Sequence, residues 1–417
     1  MELSYLTSNL PGIGGVIKER PEDFRVVEIP LYTPSGKGTH VYFGISKTGI
    51  PTRGAVERIA RHIGVPPMEI GVAGLKDAQA VTEQMMSVEH VDEGRLKGFR
   101  DPLIRVLWVS RHNNKLKHGH LAGNRFSIRI RQVRSEALPA ARAILEVLTT
   151  RGVPNFFGPQ RFGMRGDNWK LGAAAIAGRL DEYIHLMLGY PEPTDPPDCR
   201  MARELFEQGK FQQALRRWPG HYRNERRALA TWMRTNGRAK PTFSAIDKYC
   251  KRFTISAFQS YLFNQVLDRR VQQIDTVFLG DLAQKTDSGG VFSVEDEAAD
   301  QERAKRFEIS PTGPLFGYRM KIAEGAPGEI EHAVLEEARL LAGDWRMAGA
   351  HKVKGLRRAL RFQVADSGIS TGSDKYGPYI EVSFVAPPGC YATTLLREIT
   401  KNDPIEDDQV EEVAEDL

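Results

Sequence analysis

Hydrophobic residues recur along the chain with two different spacings, and each spacing predicts its own kind of element. Residues 41–45 alternate between apolar and other side chains, which predicts a strand with one buried face. In residues 52–63 the apolar side chains recur every three or four positions, as in a helix that Thr52 caps and Gly64 ends. Strands and helices therefore mix in the first part of the chain.

The clearest strand pattern, in residues 124–133, has one apolar face and one cationic face. The apolar positions are Phe126, Ile128 and Ile130, and the cationic positions are Arg125, Arg129 and Arg131. This spacing predicts a half-buried strand whose open face is strongly cationic.

Farther along, the pattern becomes mainly helical and then returns to strands. Residues 136–150 and most of 180–275 have helical spacing, with a proline-rich break at 190–198. Strand patterns return at 359–364 and 379–387, and a short helix pattern follows. Strands at both ends of a helical middle predict an α+β domain that is split in sequence by an inserted domain.

Composition adds a charge asymmetry to this picture. With 41% hydrophobic and 27% charged residues, the chain is neither disordered as a whole nor collagen-like. The net charge is +5, but residues 402–417 hold eight acids and no Lys or Arg, so the rest of the chain carries +13. Residues 100–170 contain 14 basic residues against four acids, and residues 200–240 contain 11 against three. Two such stretches predict a polyanionic partner.

The cysteines and the apolar runs indicate the compartment. Cys199, Cys250 and Cys390 are far apart, so we predict neither a disulfide framework nor a CxxC metal site. No apolar run approaches the ~18 residues of a membrane span, and the first residues do not resemble a signal peptide. We therefore expect a reduced, cytoplasmic protein without a membrane segment.

The densest chemical motif is the segment AGLKDAQAVTEQ at 73–84. Lys76 and Asp77 follow a glycine, and a carboxylate beside a cation stays ionised near neutral pH, as a nucleophile must. The local pattern alone also fits a turn or helix-cap aspartate.

A second motif, VPNFFGPQRFG at 153–163, places three phenylalanines among an amide, a guanidinium and glycines. Such a mixture suits a pocket for a planar group, because aromatic rings stack on an unstacked base while Asn155 reads its edge. A structural loop with a hydrogen-bonded asparagine is the alternative.

Two further segments carry candidate residues. KERPEDFRVVE at 18–28 offers Lys18 as a cation and Phe24 as an aromatic that also fits a strand core. PPGCYATTLLREI at 387–399 brings Tyr391 to the start of a helix that carries Arg397. The alternative for this second segment is a capped surface helix.

Several familiar sites are excluded. GIGG at 12–15 lacks the third glycine of a dinucleotide fingerprint, and no P-loop, GxSxG or HExxH is present. The histidines near 112–120 lie among lysines that repel a metal, so we expect no metal there.

Taken together, these segments resemble the TruD-type tRNA pseudouridine synthases. The matching strings, in the family's order, are KERPEDFRVVE, AGLKDAQAVTEQ, HGHLAGNRFSIRIR, VPNFFGPQRFG, SAFQSYLFNQVL and PPGCYATTLLREI. They cover the chain from about residue 12 to residue 400.

The resemblance implies an α+β fold with a mixed, largely antiparallel sheet of the pseudouridine-synthase type, interrupted by an inserted α/β TRUD domain. We expect the catalytic domain in residues 1–177 and 361–401, the insertion in 178–360, and an acidic disordered tail in 402–417. Residues 190–250 are longer than in compact relatives and hold the second basic stretch, so they either extend the RNA contact or shift the preferred substrate.

The same resemblance implies isomerisation of a uridine to pseudouridine, usually uridine 13 in the D arm of certain tRNAs, without a cofactor or metal. Asp77 matches the family's catalytic aspartate, and Phe24, Asn155, Phe157 and Tyr391 match its substrate contacts. Some relatives have Phe in place of Tyr391, and either ring offers a stacking face.

Supporting roles follow from charge. Lys18 and Arg397 are candidates to keep Asp77 ionised, with Lys18 ranked first, and Lys76 is adjacent. The residues expected to contact the RNA backbone are Arg125, Arg129, Arg131, Lys115 and Lys117. We expect a monomer that binds tRNA.

Three rival functions remain to be distinguished. A synthase acting on another RNA or position needs the same site, because the site does not identify the uridine. A non-catalytic RNA-binding chaperone would not need Asp77. An RNA methyltransferase would need a glycine-rich cofactor loop, which the sequence lacks.

Overall fold

The computed structural model describes residues 2–340, residue 345 and residues 353–402. The described strands, in chain order, are β1 Phe24–Pro30, β2 His40–Thr48, β3 Gly71–Val72, β4 Val81–Glu89, β5 Ile104–His112, β6 Leu121–Arg131, β7 Val153–Pro154, β8 Leu282–Lys285, β9 Val291–Ser293, β10 Ile309–Leu315, β11 Leu356–Ala359, β12 Arg361–Phe362, β13 Ala365–Asp374 and β14 Gly377–Ala386. The described helices are α1 Thr52–Ile63, α2 Glu93–Lys97, α3 Leu138–Arg151, α4 Asn168–Ile176, α5 Leu180–Leu188, α6 Pro197–Glu207, α7 Phe211–Arg217, α8 Arg223–Arg234, α9 Ala239–Ala245, α10 Lys248–Arg270, α11 Glu297–Lys305, α12 Gly325–Glu337 and α13 Ala392–Thr400.

Contacts within the chain divide it into two compact units. The sheet unit contains Tyr5–Asn155 and the described residues from Arg361 onward. The helical unit contains Phe156–Leu360 and residues 2–4. The assignment of 1–177 and 361–401 to a catalytic domain and of 178–360 to an insertion remains a prediction. The predicted acidic tail, apart from Asn402, lies outside the described residues.

The sheet unit is built on one large mixed sheet. In the part of the chain that the structure describes, this sheet has eight strands in the order β13-β14-β6-β1-β4-β2-β5, and β3 pairs with β4. β1 and β4 run parallel, with Val26 beside Thr82, and the other described pairs of this sheet are antiparallel. The predicted α+β fold with a mixed, largely antiparallel sheet is confirmed.

The alternation predicted for residues 124–133 is present in β6, where the apolar positions are buried and Arg125 is exposed. The Phe126 ring contacts Phe24 of β1 and Phe384 of β14, with ring centroids 6.2 and 5.1 Å apart. Three neighbouring strands therefore share one apolar core, and Phe24 is part of it.

Helix α1 spans the predicted residues, and Gly64 ends it in the left-handed conformation with φ of 76°. The predicted helix cap is wrong, because Pro51 precedes the first helical residue and Thr52 lies inside the helix. The hydroxyl of Thr52 instead bonds to the loop that carries Asp77, as described below.

The C-terminal strands differ in part from the prediction. The single strand expected at 359–364 is two short strands, because β11 pairs with β10 whereas β12 pairs with β7. The strand β13 was missed, and it forms an edge of the large sheet beside β14. The strand expected at 379–387 is present as β14, and the helix after it as α13.

Helices α5 to α10 confirm the helical prediction for residues 180–275. Their core includes Tyr183, Phe206, Trp218, Leu229 and Trp232, all buried. An antiparallel sheet of order β11-β10-β8-β9 follows in the helical unit. None of the described helices combines the length and the apolar character that crossing a membrane requires.

Candidate active site

Asp77 lies in the loop between β3 and β4, and its carboxylate pairs with Lys18. The Lys18 Nζ atom donates to Asp77 Oδ2 at 3.0 Å. The two side chains differ in exposure, at 32% for Asp77 and 8% for Lys18. The carboxylate is therefore accessible to a ligand while its cation is shielded from water.

Lys18 is held from two sides. Its ammonium lies 4.7 Å from the centre of the Phe24 ring, and that ring is buried at the start of β1. The Lys18 backbone has φ of 56°, a left-handed conformation that is uncommon for a residue other than glycine. The cation is thus placed by an aromatic face and by an unusual backbone turn, both provided by the segment around β1.

Lys76 turns away from Asp77 and into the sheet. Its ammonium pairs with Glu28 Oε2 at 2.8 Å and donates to Asn124 Oδ1 at 2.8 Å, and the ion pair is buried. The second oxygen of Glu28 accepts the backbone N–H of Met85 in β4 at 3.0 Å. Lys76 therefore fastens the loop to β1, β4 and β6.

Lys47, at the end of β2, holds the same loop by its backbone. Its side chain is fully buried, and its ammonium donates to the carbonyl oxygens of Ile50, Asp77 and Lys76 at 2.6, 2.8 and 3.2 Å. A buried ammonium is costly unless such acceptors surround it, so these bonds are strong constraints on the loop.

Thr52 and Gln84 complete the support. The backbone N–H of Lys76 donates to Thr52 Oγ1 at 2.9 Å, and this hydroxyl in turn donates to Gln84 Oε1 at 3.0 Å. The Gln84 amide reaches the carbonyl of Gly74 at 3.4 Å. The loop around Asp77 is thus fixed by side chains from β2, α1 and β4.

Asn155 and Phe157 fall in different units. Asn155 directly follows β7 and is buried in the sheet unit. Phe157 belongs to the helical unit, where the Asn264 side chain accepts its N–H at 2.9 Å and donates to its carbonyl at 3.0 Å. The single asparagine therefore fixes the backbone of Phe157.

The ring of Phe157 is surrounded by cations and a second ring. The Arg358 guanidinium lies 4.3 Å from its centre, and Phe263 meets it edge to face at 5.5 Å. Arg161, predicted to belong to a base pocket, is buried and donates to Ser256 and Ser260 of α10.

Tyr391 precedes α13, and its carbonyl accepts the N–H and hydroxyl of Thr394. Arg397, on the same helix, has its guanidinium 3.9 Å from the centre of the Tyr5 ring. Of the two cations proposed for Asp77, Lys18 forms the ion pair described above. The substrate-contacting roles of Phe24, Asn155, Phe157 and Tyr391 remain predictions.

The cationic face predicted for β6 is not an open one. Arg125 pairs with Asp366, Arg129 pairs with Glu381 and Asp374, and Arg131 pairs with Asp23 and Asp374. Arg131 is buried, which the alternation did not predict. A hydrogen bond from Arg131 lowers the pKa of Asp374 to about 2. Phosphate binding by these residues remains a prediction, and the geometry favours it least at Arg131.

The loop between β5 and β6 contains the two lysines expected to contact phosphates. Lys117 is exposed, and Lys115 donates to the carbonyl of Met68 at 3.1 Å. The loop is attached to the sheet unit by a 2.8 Å hydrogen bond between the Tyr32 hydroxyl and His120 Nδ1. Among the described residues, no group of three His, Cys, Asp or Glu side chains is arranged to hold a metal ion.

Sequence reasoning missed most of the support around Asp77. Five side chains bond either to the loop that carries Asp77 or to the Lys76 ammonium, and they are those of Glu28, Lys47, Thr52, Gln84 and Asn124. Glu28, Gln84 and Asn124 all belong to the matching strings, and the charge of Glu28 inside a strand pattern was a further signal.

The mixed sheet, the flanking helices and the accessible carboxylate in the loop before β4 define an α+β protein of the pseudouridine-synthase type. A family model described as tRNA pseudouridine synthase D (TruD) matches residues 1–399. The chain belongs to the tRNA pseudouridine synthase D (TruD) family.

Individual relatives agree with this assignment over nearly the whole chain. The tRNA pseudouridine synthase D of Geobacter sulfurreducens is 43% identical over 397 residues, covering 95% of this chain and 96% of the relative. That of Geotalea daltonii is 41% identical over 398 residues, covering 95% and 99%. A crystal structure that carries the TruD name, from Methanosarcina mazei, superposes with a TM-score of 0.85 at 27% identity and covers 96% of both chains.

Proposed function

We propose that this protein isomerises a uridine of tRNA to pseudouridine and that Asp77 is its catalytic residue. The observation that carries the proposal is the ion pair of Asp77 with Lys18, on a loop that buried side chains hold in place. Relatives of similar length are named tRNA pseudouridine synthase D, which supports tRNA as the substrate.

Uridine 13 in the D arm is the position we propose, from the family resemblance. The residues around Asp77 do not distinguish this uridine from one in another RNA or at another tRNA position. A synthase with a different target is therefore the second candidate, and the experiment below separates the two.

The reaction breaks the bond between the sugar and N1 of uracil, rotates the base and joins its C5 to the sugar. The proton lost from C5 is balanced by one gained at N1, so the reaction requires no oxidant, reductant or cofactor. The uridine must first be flipped out of folded RNA, which costs a few kcal/mol.

Asp77 has three possible chemical roles in this scheme. Its carboxylate attacks the sugar at the anomeric carbon, attacks the base ring, or removes the 2′ proton of the sugar. All three require an ionised carboxylate that a substrate can reach. The Lys18 ammonium lies 3.0 Å from this carboxylate, and the exposure of Asp77 permits contact with a substrate.

The base-contacting roles follow from the family resemblance. Phe24, Phe157 and Tyr391 are proposed to stack on the flipped uracil, at about 1–3 kcal/mol for each stacking contact. Asn155 is proposed to hydrogen-bond the uracil edge. Phe24 also has the observed task of placing Lys18, so its replacement should affect both base and carboxylate.

The test is to incubate the protein with total tRNA and map pseudouridines at nucleotide resolution. We expect new pseudouridine at position 13, and we expect Asp77→Asn to abolish turnover while tRNA binding persists. Asp181→Asn, a change of the same type at an exposed position on α5, should leave both unchanged.

The proposal fails if Asp77→Asn loses binding and turnover equally, or if it retains turnover. Pseudouridine at another position would support the second candidate. RNA binding by the wild-type protein without any pseudouridine would support the non-catalytic chaperone.

A further inference from the structure

Helix α8 presents a row of arginines to solvent. Arg223, Arg227 and Arg234 are exposed, and their spacing of four and seven residues places them on one side of the helix. At 1.5 Å per residue, the row extends for about 16 Å along the axis. We propose that this row, called the α8 arginine row, binds phosphates of the substrate tRNA.

The row is rigidly mounted. On the opposite side of α8, Ala228, Leu229, Thr231 and Trp232 are buried in the helical core. Arg226 adds to this anchoring, because its guanidinium donates to the carbonyls of Leu215 and Trp218 at 2.9 and 2.7 Å. Of the four arginines of α8, Arg226 therefore bonds to the protein backbone, and the three of the row extend into solvent.

No carboxylate neutralises the row within the residues that the structure describes. Arg223, Arg227 and Arg234 form no ion pair there, whereas Arg125, Arg129 and Arg131 of β6 each pair with an acid. The one acid of α8, Glu225, is partly buried, and burial raises its pKa. The three arginines of the α8 row therefore lack the acid partners that the arginines of β6 have.

This arrangement lowers helix stability. Arg223 and Arg227 are four residues apart, and like charges at that spacing destabilise a helix. Arg223 is also the first residue of α8, where the helix dipole disfavours a cation. A surface that served solubility alone would mix charges of both signs, so the row favours a polyanionic partner.

Neighbouring helices add to the same charge. α7 and α9 pack against α8, and they carry the exposed cations Arg216 and Lys240. The segment coincides with the basic stretch at 200–240. We infer that it contacts the body of the tRNA by phosphates, independently of base sequence. This inference rests on tRNA being the substrate.

The test compares two triple variants with the wild-type protein. The first is Arg223→Gln, Arg227→Gln and Arg234→Gln combined. The control is Lys285→Gln, Lys305→Gln and Arg306→Gln, which removes the same net charge from exposed positions elsewhere in the helical unit. The affinity of each protein for total tRNA is measured between 50 and 200 mM salt.

Each phosphate contact adds about 0.9 to the slope of log affinity against log salt, so three contacts add about 2.7. Over a fourfold change in salt, the wild-type affinity should therefore fall about 40-fold more than that of the α8 variant. The control should keep the wild-type slope, and single-turnover rates at saturating tRNA should be the same for all three proteins.

An unchanged slope in the α8 variant would overturn the inference, and so would an equal loss of slope in the control. If the α8 variant bound polyglutamate more weakly than the wild type but bound tRNA equally well, the inference would be overturned. The partner of the row would then be an acidic protein and not RNA. If the wild-type protein formed no pseudouridine but the slope still depended on the row, the proposed reaction would fail and the RNA contact would stand.

Discussion

Replacing Lys47 with methionine removes the ammonium that holds the Asp77 loop and keeps a side chain of similar length. Three carbonyl oxygens, of Ile50, Asp77 and Lys76, then lose a charged donor at 2.6, 2.8 and 3.2 Å. The loop keeps the bonds from Thr52 and from the Lys76–Glu28 pair. We expect a folded protein with a less well placed carboxylate.

The magnitude follows from the buried bonds. A hydrogen bond to a charged group contributes about 1.5–3 kcal/mol, and an unsatisfied buried carbonyl costs about 1–3 kcal/mol. Loss of the buried ammonium also removes its desolvation penalty, which offsets part of this cost. We expect the free energy of unfolding to fall by about 3 kcal/mol. A carboxylate displaced by about 1 Å should lower kcat about 100-fold, with little effect on KM.

Urea unfolding gives the stability, and pseudouridine formation well below the unfolding temperature gives kcat and KM. Lys37→Met, at an exposed position of the same unit, is the matched control and should change neither. A loss of stability without a change in kcat would show that Lys47 does not position Asp77. A stability equal to that of the wild type would refute the account of the buried ammonium itself.

Three more changes test other contacts. Lys18→Met should lower kcat about tenfold in the same assay. Because Asp77 is partly exposed, the free energy of unfolding should fall by under about 1 kcal/mol. An unchanged kcat would contradict a role of the ion pair in the reaction. Asn264→Ala should lower the free energy of urea unfolding by about 2–3 kcal/mol through two lost bonds to Phe157, and a neutral effect would contradict this. The Asp374 carboxyl titrates at about 2 when folded and near 3.8 when unfolded, so its stabilising effect is present above pH 4 and lost between about pH 4 and pH 2. In a plot of the free energy of unfolding against pH, Asp374→Asn should therefore remove part of the decline between pH 4 and pH 2. An unaltered plot would show that the Asp374 carboxyl does not cause this decline.

The spacing of apolar residues predicted the strands and helices that bury one face and expose the other. β6 and α1 each bury one face, so their apolar spacing is visible in the sequence. β13 has no buried residue and lies at an edge of the sheet, so its sequence lacks that spacing. Its position depends on pairing with β14, which a local pattern does not encode.

The sequence predicted the site residues that belong to a recognisable motif. It did not predict the residues whose partners are far away in the sequence. Asp77 and Lys18 were found from their strings, but two of the three acceptors of Lys47 lie about 30 residues farther along the chain. Arg131 has the spacing of an exposed strand residue, yet its acids are 108 and 243 residues away. Such long-range pairing buries a charge that local spacing assigns to solvent.

The order of strands in the large sheet has a consequence for synthesis of the chain. β6 pairs with β14, and more than two hundred residues separate them in sequence. At about 5–20 residues per second, a ribosome needs roughly 10–50 s to make that intervening segment. During this time the edge of β6 that pairs with β14 has no partner strand, and most of the intervening segment belongs to the helical unit. The nascent protein should therefore acquire its helical unit before its large sheet is complete, and in that interval the unpaired edge of β6 is the surface that a chaperone would need to protect.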